Sequence, residues 1–131
     1  PDPVWKRRYK HVLDFEAMLA EEGTVIIKLF LNISKAEQKK RLESRLQDPD
    51  KLWKFCMDDL DDRNRWDEFQ TAYQDLIEKT STPEAPWYII PADRKWYRNL
   101  VVARLMVEKL RHLQLSLPTP NFDPASIIIP D

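Results

Sequence analysis

The fold is decided by residues 23–45, whose sequence is Gly-Thr-Val-Ile-Ile-Lys-Leu-Phe-Leu-Asn-Ile-Ser-Lys-Ala-Glu-Gln-Lys-Lys-Arg-Leu-Glu-Ser-Arg. Residues 25–31 are apolar on both alternating faces except at Lys28, which is typical of a strand covered by helices on each side. A helix is expected next, because Ser34 and Glu37 have the spacing of a capping box, in which hydroxyl and carboxylate each satisfy a backbone N–H. The segment therefore predicts a buried strand over residues 24–33 that leads directly into a helix.

This helix carries two arginines on one face. We expect it to span residues 35–47 and to end at Asp48, since a residue followed by proline disfavours the α conformation. Arg41 and Arg45 are four residues apart and so lie on the same side of the helix. The strand thus leads to a basic helix edge at the carboxyl end of the sheet, where open α/β sheets bind their ligands.

The other segments alternate between helix and strand. Residues 3–21 predict an amphipathic helix with Trp5, Val12 and Leu19 on its inner side. Residues 50–57 mix basic and aromatic side chains, as expected of a flap. One long helix is predicted from Asp58 or Asp59 to about residue 79.

A second strand over residues 87–90 follows, since the segment is aromatic and β-branched between two prolines. Asp93 is placed to cap a final helix, and the proline-rich residues 118–131 predict an extended tail. Helices that alternate with strands predict an α/β fold with a parallel sheet. Two strands do not make a stable sheet of this kind, so we expect a fragment of a longer fold, or a chain completed by another.

Composition excludes several classes of protein. The chain has 131 residues, 43% of them apolar, which is enough for one domain with a core. A net charge of −1 gives no overall field for nucleic acid or an anionic membrane, so neither is expected as a partner. No apolar run approaches the roughly 20 residues of a membrane span, and no secretory signal is expected. With Cys56 as the single cysteine, which excludes an intrachain disulfide, the expected location is cytoplasmic.

Four basic side chains lie close together in sequence and form the candidate binding site for a polyanion: Arg41, Arg45, Lys51 and Lys54. Phosphoryl transfer depends on positioning and charge stabilisation, for which guanidinium and ammonium groups are suited. The alternative is that these are solvated helix charges paired with neighbouring acids, namely Glu43, Asp48 and Asp50.

Other chemical sites are weaker candidates. Asp93, Arg94 and Lys95 follow a strand and begin a helix, where nucleotides often bind, although a simple helix cap would have the same residues. The acidic residues 58–62 are typical partners of a helix dipole, and no metal site is expected in this chain. The single glycine, Gly23, excludes a glycine-rich phosphate loop.

Several ordered motifs together resemble the carboxyl-terminal half of the polyphosphate kinase 2 family, from about residue 5 to residue 117. They are Ile-Lys-Leu-Phe-Leu-Asn-Ile-Ser-Lys-Ala-Glu-Gln, Arg-Leu-Glu-Ser-Arg-Leu-Gln-Asp-Pro, Leu-Trp-Lys-Phe, Arg-Trp-Asp-Glu-Phe, and the stretch from Thr-Ser-Thr-Pro-Glu-Ala-Pro to Trp-Tyr-Arg-Asn-Leu. The resemblance implies a partial P-loop kinase fold related to thymidylate kinase, with residues 1–117 as the carboxyl-terminal part and a helical lid over about residues 48–66.

The resemblance also implies an activity, namely transfer of phosphate between inorganic polyphosphate and a nucleoside mono- or diphosphate. Arg41 and Arg45 match basic positions that face the phosphate chain, and Lys51 and Lys54 match lid positions. The family's phosphate loop and the residues that hold Mg²⁺ would precede residue 1, so no catalytic residue is expected in this chain. A homo-oligomer is expected.

Two departures from the family pattern and two alternative functions stay open. Cys56 and Met57 stand where the family often has Ser-Pro, and Phe69 stands in place of tyrosine. A nucleoside monophosphate kinase that uses ATP would share the fold. A non-catalytic helical oligomerisation module is the alternative from another class.

Overall fold

Two parallel strands form the centre of the fold, and helices pack around them. The computed structural model describes residues 2–130, so Pro1 and Asp131, the outermost residues of the predicted domain and tail, lie outside the described part. The elements in chain order are α1 (Asp2–Glu21), β1 (Lys28–Asn32), α2 (Lys35–Gln47), a 3-10 helix (Pro49–Lys54), α3 (Asp58–Asn64), α4 (Trp66–Thr80), β2 (Trp87–Pro91), α5 (Lys95–His112) and a 3-10 turn (Pro124–Ser126).

The sheet has the parallel arrangement that the alternation of helices and strands predicts. Lys28 pairs with Trp87 at the start of both strands, and the pairing continues over five residues of each. The prediction of a strand from residue 24 was too long, because β1 begins only at Lys28. β2 starts immediately after Pro86, so residues 24–27 have no strand to pair with in the described part of the chain.

Lys28, the polar interruption of the apolar pattern, is buried. Its Nζ donates to Glu16 Oε2 at 2.7 Å and to the Thr80 carbonyl at 2.5 Å, and it lies 5.3 Å from the centre of the Trp87 ring. The side chains of Lys28 and Glu16 are only 9% and 13% exposed. Because a buried charge needs a partner, these contacts tie α1, α4 and both strands together at one point.

α1 uses a different face from the one predicted. Trp5 is 54% exposed and Val12 40% exposed, so both were wrongly placed on the inner side, whereas Leu19 is half-buried. The helix is instead oriented by Glu16, which turns inward to meet Lys28. The ion pair of Glu16 with Lys28 thus decides which face of α1 points inward, and the apolar spacing predicted that face incorrectly. The half-buried residues beside Glu16 are Tyr9, Leu13 and Ala20.

The long helix predicted over residues 58–79 is two helices, α3 and α4. They are separated at Arg65, whose φ of −97° and ψ of 25° are not helical. The break follows a run rich in Asp and Asn, residue types with low helix propensity. α4 packs on the sheet, with the rings of Phe30 and Tyr73 5.2 Å apart, whereas α3 turns towards α2.

The tail after α5 carries one 3-10 turn as its only regular element within residues 113–130. Its large apolar side chains are mostly exposed, including Leu117 at 93% and Ile128 at 90%. The segment therefore adds little to the core that surrounds the sheet.

Candidate phosphate-binding site

The carboxyl ends of the two strands are joined by a side chain. Asp93 Oδ1, after β2, accepts a hydrogen bond at 2.7 Å from the backbone N–H of Ser34, after β1. This bond holds the pKa of Asp93 below its usual value, because it stabilises the carboxylate. The ends of both strands are therefore fixed relative to each other where the candidate site begins.

This bond changes two predicted helix caps. Ser34 Oγ accepts from the backbone N–H of Glu37 at 3.1 Å, as predicted, but the reciprocal half of the capping box is absent from the described contacts, since Asp93 takes the Ser34 N–H. Asp93 is likewise not the cap of α5. That position belongs to Arg94, which makes no side-chain cap hydrogen bond.

Arg41 connects α2 with the end of β2. Its Nε donates to Glu37 Oε1 at 2.8 Å, and its Nη2 donates to the carbonyls of Ala92 at 2.7 Å and Asp93 at 3.3 Å. The side chain is 24% exposed. Arg41 is therefore held at the carboxyl end of the sheet, with a rigid guanidinium beside the strand ends.

Arg45, one turn further along α2, connects three elements. Its Nη1 donates to the Lys54 carbonyl in the 3-10 helix and to Asp59 Oδ2 in α3, at 3.3 Å in each case. The side chains of Arg45 and Asp59 are 36% and 40% exposed. The segment between α2 and α3 is thus folded back against the last turn of α2.

The two lysines of this segment have different surroundings. Lys51 forms an ion pair with Asp48, one of the neighbouring acids expected as its partner, and this pair lowers the pKa of the Asp48 carboxyl. Lys54 Nζ lies 5.0 Å from the ring centre of Trp53, which is 78% exposed. An exposed aromatic ring and an ammonium group therefore face solvent next to Arg45.

Arg63 was not identified from the sequence, although it positions this region. Its Nη1 donates to the Lys35 carbonyl at 2.7 Å and to Gln38 Oε1 at 2.9 Å, which attaches α3 to the first turn of α2. Because 25 or more residues separate these partners in sequence, no local spacing rule signals the contact. Arg45 and Arg63 together link α2 and α3 in both directions.

Two clefts open at the carboxyl end of the sheet. One, of about 420 Å³, is bordered by Ser34, Asp93 and Arg94. The other, of about 280 Å³, lies between β1, α3 and α4 and is lined by aromatic rings and amides together with Asp59 and Asp62. Two carboxylates make the second cleft unfavourable for a phosphate group.

Two further properties bear on possible ligands and environment. Within residues 2–130, no group of three or more His, Cys, Asp or Glu is arranged to hold a metal ion. None of the helices described is both long enough and apolar enough to cross a membrane.

Comparison with known proteins identifies the family. A family model described as Polyphosphate kinase 2 (PPK2) matches residues 1–117. The chain belongs to the polyphosphate kinase 2 family. A relative from Meiothermus ruber, named AMP/ADP-polyphosphate phosphotransferase, is 51% identical over 98% of this chain and 48% of its own length. This chain thus spans about half of that relative.

Solved structures of polyphosphate kinase 2 have the same fold. The crystal structure of polyphosphate kinase 2 from Arthrobacter aurescens TC1 superposes with a TM-score of 0.89 at 50% identity, covering 92% of this chain and 43% of that one. A structure titled putative polyphosphate kinase 2 from Pseudomonas aeruginosa PA01 gives 0.82 at 31% identity, covering 87% and 24%. The prediction of a partial P-loop kinase fold of the α/β class is confirmed.

Proposed function

We propose that this chain is the carboxyl-terminal part of an enzyme that transfers phosphate between inorganic polyphosphate and a nucleoside mono- or diphosphate. The observation that carries the proposal is the 51% identity, over almost the whole chain, to a relative named AMP/ADP-polyphosphate phosphotransferase. In this proposal residues 1–117 belong to the kinase domain, residues 48–66 form its lid, and residues 118–131 form a tail.

Arg41 and Arg45 would bind phosphate oxygens along one side of α2, with Lys51 and Lys54 contributing from the lid. The contact between Arg45 and the Lys54 carbonyl supports this grouping, since the 3-10 helix that carries both lysines lies against α2. Arg41 is beside the carboxyl ends of both strands, where ligands bind in open α/β sheets. Guanidinium groups suit phosphates because they can donate two parallel hydrogen bonds.

Asp93, Arg94 and Lys95 would lie on the nucleotide side of the site. The Asp93 carboxylate already accepts a hydrogen bond from the Ser34 N–H, so its role would be to hold the strand ends in place. Arg94 and Lys95 are exposed, and Arg94 borders the 420 Å³ cleft. Their positive charges are therefore available to nucleotide phosphates.

Magnesium would accompany the phosphates and would be held by residues outside this chain. When bound, Mg²⁺ would supply positive charge that offsets the negative charge developing on the phosphates during transfer. We further propose that the protein is a cytoplasmic homo-oligomer that needs neither nucleic acid nor a membrane.

One assay of the complete gene product tests this function. Long-chain polyphosphate or ATP is supplied as donor, with Mg²⁺, to AMP, ADP or GDP, and the product nucleotides are separated by chromatography. We expect polyphosphate-dependent phosphorylation of at least one acceptor. Transfer from ATP only would favour a nucleoside monophosphate kinase, whereas a stable oligomer with no transfer would favour a non-catalytic module; either result contradicts the proposal.

A further inference from the structure

The acidic start of α3 is not explained by a site that binds a polyanion. Four carboxylates lie within five residues beside the basic segment, namely those of Asp58, Asp59, Asp61 and Asp62. In the described structure, Asp59 is the member of this group whose carboxylate contacts one of the candidate phosphate-binding bases, Arg45. This contact gives one of the four acids a specific place in the site.

The contact between Arg45 and Asp59 has the properties of a weak ion pair, in which another anion can replace the carboxylate. Its length of 3.3 Å exceeds the roughly 2.7–2.9 Å of strong charge-assisted hydrogen bonds. Both side chains are more than one-third exposed, so solvent weakens the pair. Arg41 differs, because its bonds to Glu37 and the Ala92 carbonyl measure 2.8 and 2.7 Å in a less exposed setting.

A phosphate group, like the Asp59 carboxylate, provides negatively charged oxygen acceptors for Arg45, and it carries more charge and more oxygens. Only Nη1 of Arg45 has a partner in the contacts of the described residues. A phosphate could therefore take the remaining N–H groups first and then replace the carboxylate. Loss of Asp59 would not release α3, since Arg63 still attaches that helix to Lys35 and Gln38.

We propose that Asp59 is an internal competitor of the phosphate chain for Arg45. The proposal rests on the proposed function, since it requires that Arg45 binds phosphate. When no phosphate chain is present, Asp59 occupies the guanidinium and holds the lid segment against α2. When the chain binds, it displaces the carboxylate, and the cost of that displacement weakens binding and eases release.

The test measures the Kd of the complete gene product for long-chain polyphosphate by calorimetry, at fixed ionic strength. Asp59→Asn removes the competing charge and is expected to lower Kd about three- to fivefold, as exposed ion pairs of this kind would allow. Asp58→Asn is the matched control, because it makes the same charge change at the neighbouring exposed residue, for which the described structure gives no ion pair. It is expected to change Kd less than about twofold, since screening by water and salt is strong there.

Arg45→Ala completes the cycle. In this background Asp59→Asn is expected to have no further effect on Kd, because there is no guanidinium to compete for. The proposal is overturned if Asp59→Asn weakens binding, if it equals Asp58→Asn, or if its effect persists without Arg45. If the unmodified protein does not bind polyphosphate, the proposed function fails and the competition fails with it. Binding that is insensitive to Asp59 rejects the competition only.

Discussion

The Asp93 carboxylate accepts a hydrogen bond from the Ser34 backbone N–H at 2.7 Å, and this bond joins the residue that precedes α2 to the loop that follows β2. Arg41 donates to the Ala92 and Asp93 carbonyls beside it. The first two turns of α2 and the end of β2 are thus held together, and the candidate phosphate site lies beside them.

The Ser34 contact predicts a specific dependence of stability on pH. The pKa of Asp93 is lowered from its ordinary value of 3.8, first because of the backbone hydrogen bond from Ser34. The stabilisation is therefore fully present above that value and is lost as the pH falls through the lower pKa of the folded state. We expect Asp93→Asn to lower the thermal midpoint at pH 7 and to differ less from the unmodified protein in acid.

Glu84→Gln is the control for this comparison, because Glu84 is an exposed loop carboxylate. The thermal midpoint of Glu84→Gln should equal that of the unmodified protein both at pH 7 and in acid. An Asp93→Asn difference that stays constant from pH 7 down to pH 3 would contradict the role of the Asp93 charge.

Arg45 and Arg41 are expected to matter for polyphosphate more than other cations on α2. Substitution of either by alanine removes a bidentate donor, and we expect kcat/KM for polyphosphate to fall more than about tenfold. Lys40→Ala is the control, since Lys40 is an exposed cation on the same helix. Steady-state kinetics of the three variants check this, and equal effects in all three would remove the case for a specific site.

Lys28 is expected to be a major determinant of stability. Lys28→Met leaves the largely buried carboxylate of Glu16 without its partner, at a cost of about 3–5 kcal/mol in the free energy of unfolding. Replacing both residues by apolar ones should recover most of this loss, because no charge is then left unpaired. Urea denaturation measures both effects.

The exposed pair of Lys10 and Asp14 provides the control for Lys28. Their side chains are 71% and 57% exposed, although the ion pair is also short at 2.5 Å. Lys10→Met should therefore leave the urea midpoint almost unchanged. A similar loss for Lys10→Met and Lys28→Met would show that burial is not the cause.

Arg63 is expected to control the opening of α3. Arg63→Ala removes its bonds to the Lys35 carbonyl and Gln38, and we expect the free energy of local opening to fall by about 1–3 kcal/mol. Hydrogen exchange of the α3 amides measures this. Arg65→Ala is the control, since Arg65 pairs with the exposed Glu68 only three residues away. Unchanged exchange in Arg63→Ala would contradict the attachment.

Local sequence rules worked where the physical cause is also local. The bounds of α2 agree with the prediction, because Ser34 caps the helix and Pro49 stops it within the same segment. The local rules failed where a contact with a residue far away in sequence sets the structure. α1 was given the wrong inner face because the pairing of Glu16 with Lys28 outweighs the apolar stripe. No spacing within α3 indicated Arg63 either, because its partners lie on another helix.

By itself, the sequence determined the two strands, the parallel class of the sheet, most of the helices and the motifs of the polyphosphate kinase 2 family, but not the break at Arg65 that separates α3 from α4. These depend on side-chain periodicity, caps and prolines, which act over a few residues. Only the tertiary structure decided the contacts between residues far apart in sequence: Arg45 meets Asp59, Lys28 meets Glu16, and Asp93 accepts from the Ser34 N–H instead of capping α5. The reason is that hydrogen bonds and ion pairs depend on distance in space, which chain folding sets and sequence spacing does not.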